Sequence, residues 1–318
     1  MSTLLASIAP KPMVRRPYPN IAQVHSNKSA QTFIKAMLLL AKESELLIKE
    51  ILPKQYEQQI ELFKDVPFAI ENTMEIYKKL ILESPSQLIV TPEISIPLFS
   101  NVVPAKYIAQ LAEHARNNNG DVLVGLAEHG VNQGEYYNTM FSFGSAPEQS
   151  YRKYHLVPFG EYIPLKAVFG WIIHILQIPL SDFSRGSLDQ KPMYLAGQRI
   201  AINICYEDVF GEEIIKQLPD ATLLVNVSND AWFGRSIGPQ QHLQISQMRA
   251  LETGRYMLRA TNTGVTAIID ERGQVLQSIE IFTTAALHSM VQGFTGTTPY
   301  VRGGNYPVLL FAGLLCII

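Results

Sequence analysis

Short apolar, largely β-branched runs recur along this chain and alternate with amphipathic stretches, and no other feature of the sequence limits its fold so strongly. Leu88–Val90 and residues 122–126, 200–204 and 222–227 are apolar at nearly every position. A strand with one wet face alternates apolar and polar residues, whereas a run without that alternation has to be covered on both sides. The covering elements are helices predicted over 104–117, 208–217 and 240–256, the last with Ile245, Met248 and Leu251 on one side. Further strands are predicted at 21–24, Met257–Thr261, 265–270 and Val275–Ile279, with Gly273 turning the chain before the last. Strands alternating with helices predict an α/β layered domain. At 318 residues, 47% of them apolar, the chain is long enough to bury such a core.

Local composition divides the chain into three. Residues 1–19 hold four prolines and the Arg15-Arg16 pair and read as a linker or leader. Residues 20–297 carry the strand–helix alternation, including a helical segment at about 30–82. Residues 298–318 end in an unbroken apolar stretch from Val308, read as the start of a truncated membrane helix, since a full span requires about 20 residues. Lys plus Arg total 26 against 28 Asp plus Glu, so the chain lacks the basic footprint of a nucleic-acid binder. The cysteines, Cys205 and Cys316, are too few for a disulfide framework. Cys316 lies in the apolar tail and reads as a small hydrophobe, whereas Cys205 sits in a polar, acid-rich motif.

Three reactive side chains fall at or beside the ends of separate predicted strands: Glu93 after 88–90, Lys153 within 151–155, and Cys205 after 200–204. Loops at strand ends converge over one edge of a sheet, which is where functional groups gather. A thiol attacks only as thiolate, so a base has to take its proton or a cation has to lower its pKa. Attack on a carbonyl creates an oxyanion that an ammonium and backbone N–H groups can stabilise. Glu, Lys and Cys together supply base, electrostatic stabiliser and nucleophile. Singly, each has an ordinary structural reading: Glu93 as a helix cap, Lys153 as a solvated charge, Cys205 as a core residue.

The neighbouring residues carry a resemblance. Thr91-Pro92-Glu93, the run Arg152-Lys153-Tyr154-His155-Leu156-Val157-Pro158-Phe159-Gly160-Glu161-Tyr162, and Asn203-Ile204-Cys205-Tyr206-Glu207 occur in the order and context of the nitrilase superfamily. More narrowly, they are similar to the bacterial apolipoprotein N-acyltransferases. Phe183-Ser184-Arg185-Gly186, Ser228-Asn229-Asp230-Ala231-Trp232-Phe233-Gly234, Arg249-Ala250-Leu251-Glu252 and Thr261-Asn262-Thr263-Gly264 extend the match. The resemblance runs from about Ile21 to the C-terminus, and Thr298-Pro299-Tyr300 with Gly304-Asn305 resembles the approach to that family's last membrane helix.

What the resemblance implies is specific. The fold would be a nitrilase-like α-β-β-α sandwich of two mixed sheets. Cys205 would take an acyl chain from a phospholipid as a thioester, with Glu93 as general base and Lys153 stabilising the tetrahedral intermediates. Glu161 would be a supporting acid that orients Lys153, and Tyr206 and Glu207 would shape the pocket. The acceptor would be the α-amino group of the N-terminal diacylglyceryl-cysteine of a lipoprotein, with no metal and no organic cofactor. The domain would work at the bacterial inner (cytoplasmic) membrane, on its periplasmic face. Relatives carry membrane helices ahead of the catalytic domain, and the 30–82 segment is enlarged relative to theirs.

Residues 167–180, AVFGWIIHILQIPL, form an apolar arm directly after the Glu161 motif and read as a membrane-touching segment, with Trp171 suited to the interface; burial in the core is the plainer reading. Trp171, Trp232 and Phe233 are the predicted substrate-binding side chains, although large aromatics usually belong to a core. The seven histidines (His25, His114, His129, His155, His174, His242 and His288) show no metal-ligand spacing. Lining the site is one reading of His155 and His242, and an ordinary hydrogen-bonded role is the plainer expectation for both. Two other functions remain open on sequence alone: a soluble nitrilase-type amidase cleaving small carbon–nitrogen bonds, and an inactive truncated copy.

Overall fold

The structure, a computed structural model, describes residues 2–8, 66–132, 134–158, 160–162 and 183–316. The chain divides into two units, residues 1–15 with 76–318 and residues 16–75; of the latter, the described part is 66–75. The predicted strand at 21–24, the 30–65 part of the enlarged helical segment, the 167–180 arm and Trp171 lie outside the described residues.

Among the described residues the strands form two six-stranded mixed sheets. The first holds β1 (Ser2–Ile8), β2 (Leu88–Val90), β3 (Asp121–His129), β4 (Tyr136–Gly144), β5 (Gln149–Arg152) and β12 (Ala285–Val291). Its order is β12-β1-β2-β3-β4-β5. The second holds β6 (Met193–Leu195), β7 (Gln198–Ile204), β8 (Leu223–Ser228), β9 (Met257–Thr261), β10 (Thr266–Ile269) and β11 (Val275–Ile279), in the order β11-β10-β9-β8-β7-β6. The helices are α1 (Val66–Leu82), α2 (Ala105–Asn117), the short α3 (Gly211–Ile214), α4 (Gly238–Thr253), α5 (Pro299–Gly303) and α6 (Tyr306–Leu315).

Side chains alternate across each strand, so an apolar run feeds two cores at once. In the second sheet Ile200, Ile202, Ile204, Val225, Val227 and Leu258 point inward against Leu88, Val90, Leu123 and Met140 of the first. The intervening residues Ala201, Leu224, Met257, Ala267 and Ile269 face outward and pack with Ala250 of α4 and Ile214 of α3. On the other side α2 buries Tyr107, Leu111, Ala112 and Ala115 and packs on β3 and β4. The result is the four-layered α-β-β-α arrangement expected from the sequence. β7, β8 and β9 are parallel, so their C-terminal ends emerge together and deliver Cys205, Asn229 and Asn262 to one edge. β2 and β3 are likewise parallel, and Glu93 follows β2.

Several expectations need correction. Residues 1–19 read as a linker, yet Ser2–Ile8 form a strand, parallel to β12 and antiparallel to β2. The helix expected over 208–217 is three short helical turns, Cys205–Val209, Gly211–Ile214 and Ile215–Gln217. On α4 the apolar stripe is turned outward: Met248 and Leu251 are about half exposed, while Pro239, His242, Ser246, Ala250 and Thr253 are buried. That helix lies over a polar cluster, described below, and its polar side supplies partners to it.

The apolar tail is helical as α6, and Tyr306, Val308, Leu309, Leu310, Phe311, Leu314 and Leu315 on it are exposed. Among the described residues no helix is long and apolar enough to cross a membrane.

Candidate active site

Glu93 stands on a turn that β3 holds in place. Thr91 N donates to Leu123 O at 3.0 Å, the Thr91 hydroxyl lies 2.7 Å from Ser95 Oγ, and Ile96 N donates to Gly125 O at 3.2 Å. The turn passes so close to β3 that a Cβ on Gly125 would come within 2.5 Å of the Pro92 carbonyl oxygen and 2.6 Å of Ile94 N. Ile94 takes a φ of 44°, a left-handed conformation that a β-branched residue avoids and that costs roughly 1–3 kcal/mol. Strain of that kind survives only where its surroundings over-determine it. Here it leaves the Glu93 carboxylate buried, 6% exposed, and aimed inward.

Each oxygen of that carboxylate is occupied. Oε1 accepts from Lys153 Nζ at 3.0 Å and from Asn138 Nδ2 at 2.7 Å. Oε2 accepts from the backbone N–H of Asn229 at 2.7 Å. Lys153 follows the end of β5, anchored by its own N–H to Asn138 O at 2.8 Å, and its side chain is 1% exposed. Its ammonium donates a second bond to Glu161 Oε1 at 2.9 Å, and Glu161 Oε2 accepts from Val157 N at 2.9 Å. Burial works to lower the lysine pKa, but the charges of Glu93 and Glu161 outweigh it and hold the pKa well above the usual value. Lys153 is therefore a fixed, buried cation.

Cys205 is the first residue past β7 and opens a 3₁₀ turn, Cys205–Val209. Its φ of 52° places the nucleophile candidate, like Ile94, in the left-handed region. Burial and the negative charge of Glu93 push the thiol above its ordinary 9.0, while the Lys153 charge and a hydrogen bond with Ser228 act the other way. At rest the sulfur is thus a neutral thiol, in electrostatic contact with both Glu93 and Lys153.

Glu207 is buried in hydrogen bonds from the chain around it. It is 3% exposed and accepts from three backbone N–H groups, Ile204 at 2.6 Å, Tyr154 at 2.6 Å and His155 at 3.2 Å, and from the Tyr151 hydroxyl at 3.2 Å. The carboxyl therefore ties the end of the Lys153 strand to the end of the Cys205 strand. Burial raises its pKa to about 7, against the pull of the Ile204 and Tyr154 N–H groups and the Lys153 charge. Tyr206 is half-buried and meets the rings of His155 and Phe210 edge-on, at centroid distances of 5.6 and 5.1 Å. Trp232 and Phe233, on the turn after Asn229, are exposed at 47% and 36%.

The structure thus brings Glu93, Lys153, Glu161 and Cys205 into one site, with Glu207 behind it and Trp232 and Phe233 on the surface nearby. Sequence reading missed Asn138, which donates to Glu93 and, at 3.3 Å, to Glu161. An Asn inside Tyr-Tyr-Asn-Thr-Met-Phe was the available signal. It also missed the Asn229 N–H, for which a backbone group leaves no residue-type signal at all. His155 pairs with Glu213, Nδ1 to Oε1 at 2.9 Å, and stacks on Phe210. Among the described residues no group of three or more His, Cys, Asp or Glu side chains is arranged to hold a metal ion.

The described residues thus form a two-sheet α-β-β-α sandwich with a buried Glu–Lys pair beside a cysteine. Residues 23–296 match the carbon–nitrogen hydrolase family, and the chain belongs to it. It is 72% identical over 251 residues to the apolipoprotein N-acyltransferase of Nitrosomonas europaea, covering 79% of this chain and 50% of that protein. It is 45% identical over 253 residues to the protein of the same name from Methylococcus capsulatus, again covering 79% and 50%. The chain therefore spans about half the length of the curated relatives it matches. Among solved structures it resembles the C. elegans NitFhit protein (TM-score 0.53, 17% identity, 76% of this chain and 61% of that one). It also resembles Nit3 of Saccharomyces cerevisiae, a member of branch 10 of the nitrilase superfamily (TM-score 0.50, 16% identity, 67% and 79%). At those identities the likeness concerns the fold.

Proposed function

We propose that this chain is the catalytic part of an apolipoprotein N-acyltransferase, moving a fatty acyl chain from a phospholipid through a Cys205 thioester to the α-amino group of a lipoprotein's diacylglyceryl-cysteine. The observation that carries the reading is the buried Glu93–Lys153–Glu161 cluster facing a protonated Cys205 thiol. The names of the curated relatives favour lipid-to-amine transfer over hydrolysis of small amides.

The chemistry follows from the charges. Because the thiol is neutral at rest, its proton has to leave as sulfur attacks the ester carbonyl, and Glu93 is the group placed to accept it. The oxyanion that forms faces the Lys153 ammonium, which Glu161 and Glu93 keep in place and which needs no reorganisation as charge develops. Collapse breaks the C–O bond, the lysophospholipid alcohol leaves with the proton held by Glu93, and the acyl group stays on sulfur. The neutral α-amine then attacks the thioester, Glu93 takes its proton, and collapse of the second intermediate breaks the C–S bond and returns that proton to sulfur. The products are an amide and the starting thiol, without metal or organic cofactor. Asn138 and the Asn229 N–H hold the carboxylate in place.

The same reading places the domain at the bacterial inner membrane, on its periplasmic side, with α6 leading into lipid. The exposed apolar side chains of α6, together with Trp232 and Phe233, support contact with a bilayer.

Intact-mass spectrometry after incubation with phosphatidylethanolamine tests the assignment. The parent chain should gain one acyl mass that persists in water and is discharged by a diacylglyceryl-cysteine peptide, and Cys205→Ala should gain none. An adduct that remains in Cys205→Ala overturns the nucleophile. Discharge to water at an equal rate without the peptide makes the chain a hydrolase.

A further inference from the structure

A second polar cluster adjoins Cys205, and the proposed chemistry makes no use of it. His242, 6% exposed on α4, has one ring nitrogen, Nε2, 3.2 Å from the Cys205 carbonyl oxygen and the other, Nδ1, 3.2 Å from Asp230 Oδ1. A carbonyl has no proton to give, so Nε2 is the donor in the first contact. Asp230, fully buried, accepts from Ser228 Oγ at 2.6 Å and from Arg259 Nη2 at 2.9 Å. Burial alone would raise the Asp230 pKa, but Arg259 and His242 hold it well below the usual carboxylate range. Arg259 is itself bound to Asn226, whose amide donates to Asn203 at 2.6 Å, so the cluster is a row across the parallel strands β9, β8 and β7.

One carboxylate therefore governs both ends of the nucleophile. Through Ser228 it reaches the sulfur, and through His242 it reaches the backbone carbonyl. That carbonyl matters because Cys205 is held at a φ of 52°, and relaxation to an ordinary right-handed or extended conformation would swing both the carbonyl and the thiol. One residue upstream, the Asn203–Ile204 peptide is already fixed by Ile204 N donating to Glu207. His242 fixes the peptide that follows Cys205.

We propose that His242 is a positioning residue that, oriented by Asp230, holds the Cys205 carbonyl and so keeps the strained elbow that aims the thiol at Glu93 and Lys153. An ordinary core histidine would fill the same space without caring which of its nitrogens is retained. This role requires Nε2. The inference rests on Cys205 being the nucleophile and on nothing about the acyl donor or acceptor.

The two amide isosteres of histidine separate the cases. In the full chain with Cys316→Ser, His242→Gln keeps a donor at the Nε2 position and His242→Asn keeps one only toward Asp230. Iodoacetamide labelling, read on the Cys205 peptide by mass spectrometry, reports the thiol without any lipid. We expect His242→Gln to label within about threefold of the parent and His242→Asn to label about tenfold more slowly, the scale of one hydrogen bond's net effect. Thioester formation from phosphatidylethanolamine should follow the same order. Parent-like labelling in His242→Asn overturns the proposal. So does equal loss in the two variants, including loss through failure to fold. Failure of acyl transfer with the labelling order intact would instead count against the lipid substrate and leave His242 in place.

Discussion

In the proposed mechanism two requirements meet at Cys205. The thiol has to keep its proton in a buried site, and it has to lose that proton as soon as a carbonyl arrives. Burial and the Glu93 charge secure the first, because both disfavour a thiolate. Glu93 secures the second, since a carboxylate fixed by Lys153, Asn138 and the Asn229 N–H is preorganised as an acceptor. Glu93→Gln removes the base while keeping its shape, and single-turnover acyl-adduct formation should fall by about 10²–10⁴, the usual contribution of general base catalysis.

Glu207 makes a different prediction. The folded protein holds its proton up to a pKa of about 7, whereas the unfolded chain releases it near the ordinary 4.5. Between those values the unfolded state binds fewer protons, so this group's contribution to stability is complete below 4.5 and is lost as pH rises through 7. Urea midpoints at pH 5 and pH 8 should therefore fall more for the parent than for Glu207→Gln, which stays neutral throughout. Equal pH dependence in the two proteins would remove Glu207 as the titrating group.

At the level of elements, the turn between β2 and α2 shows how a site is built from main chain. Gly125 lets that turn approach β3, and an added methyl group would collide with Pro92 and Ile94 backbone atoms. Gly125→Ala should cost about 1–3 kcal/mol in urea unfolding, the range for overpacking, and should slow acylation further by displacing Glu93. Elements like β2, β7 and β8 were legible in the sequence because both faces of each are covered, which writes a nearly continuous apolar run close to a candidate site residue. β4 was not legible: its buried positions include Asn138, Thr139 and Ser142, so no period stands out, and Asn138 is polar because it serves Glu93. The apolar side of α4 does not mark its buried face, for a related reason. The buried charges of Asp208, Asp230 and Arg259 need partners, so His242 and Ser246 turn toward them and Met248 and Leu251 are left outside. Apolar periodicity reports the core only where the core is apolar. Glu161 and Lys153 were found through their motif, and their contact is a property of the fold that spacing does not encode.

For the molecule as a whole, α6 presents an apolar surface that the described residues do not cover, with Leu310 at 68% and Phe311 at 64% exposed. Replacing both by Glu should leave the urea midpoint unchanged, because neither side chain is packed, and should weaken co-sedimentation with phosphatidylethanolamine–phosphatidylglycerol vesicles by about tenfold. Unaltered sedimentation would remove α6 from the membrane contact. A last consequence concerns where the groups of the site come from. Glu93 and Lys153 belong to one sheet, Cys205 and Asn229 to the other, and the bond from Asn229 to Glu93 crosses between them. Neither half of the sandwich owns a working centre. Anything that pries the halves apart by an ångström, whether pressure, a bulky core substitution or a wedge-like ligand, would silence the reaction well before the protein melts, which makes the seam between the sheets a lever for inhibitors that never enter the pocket.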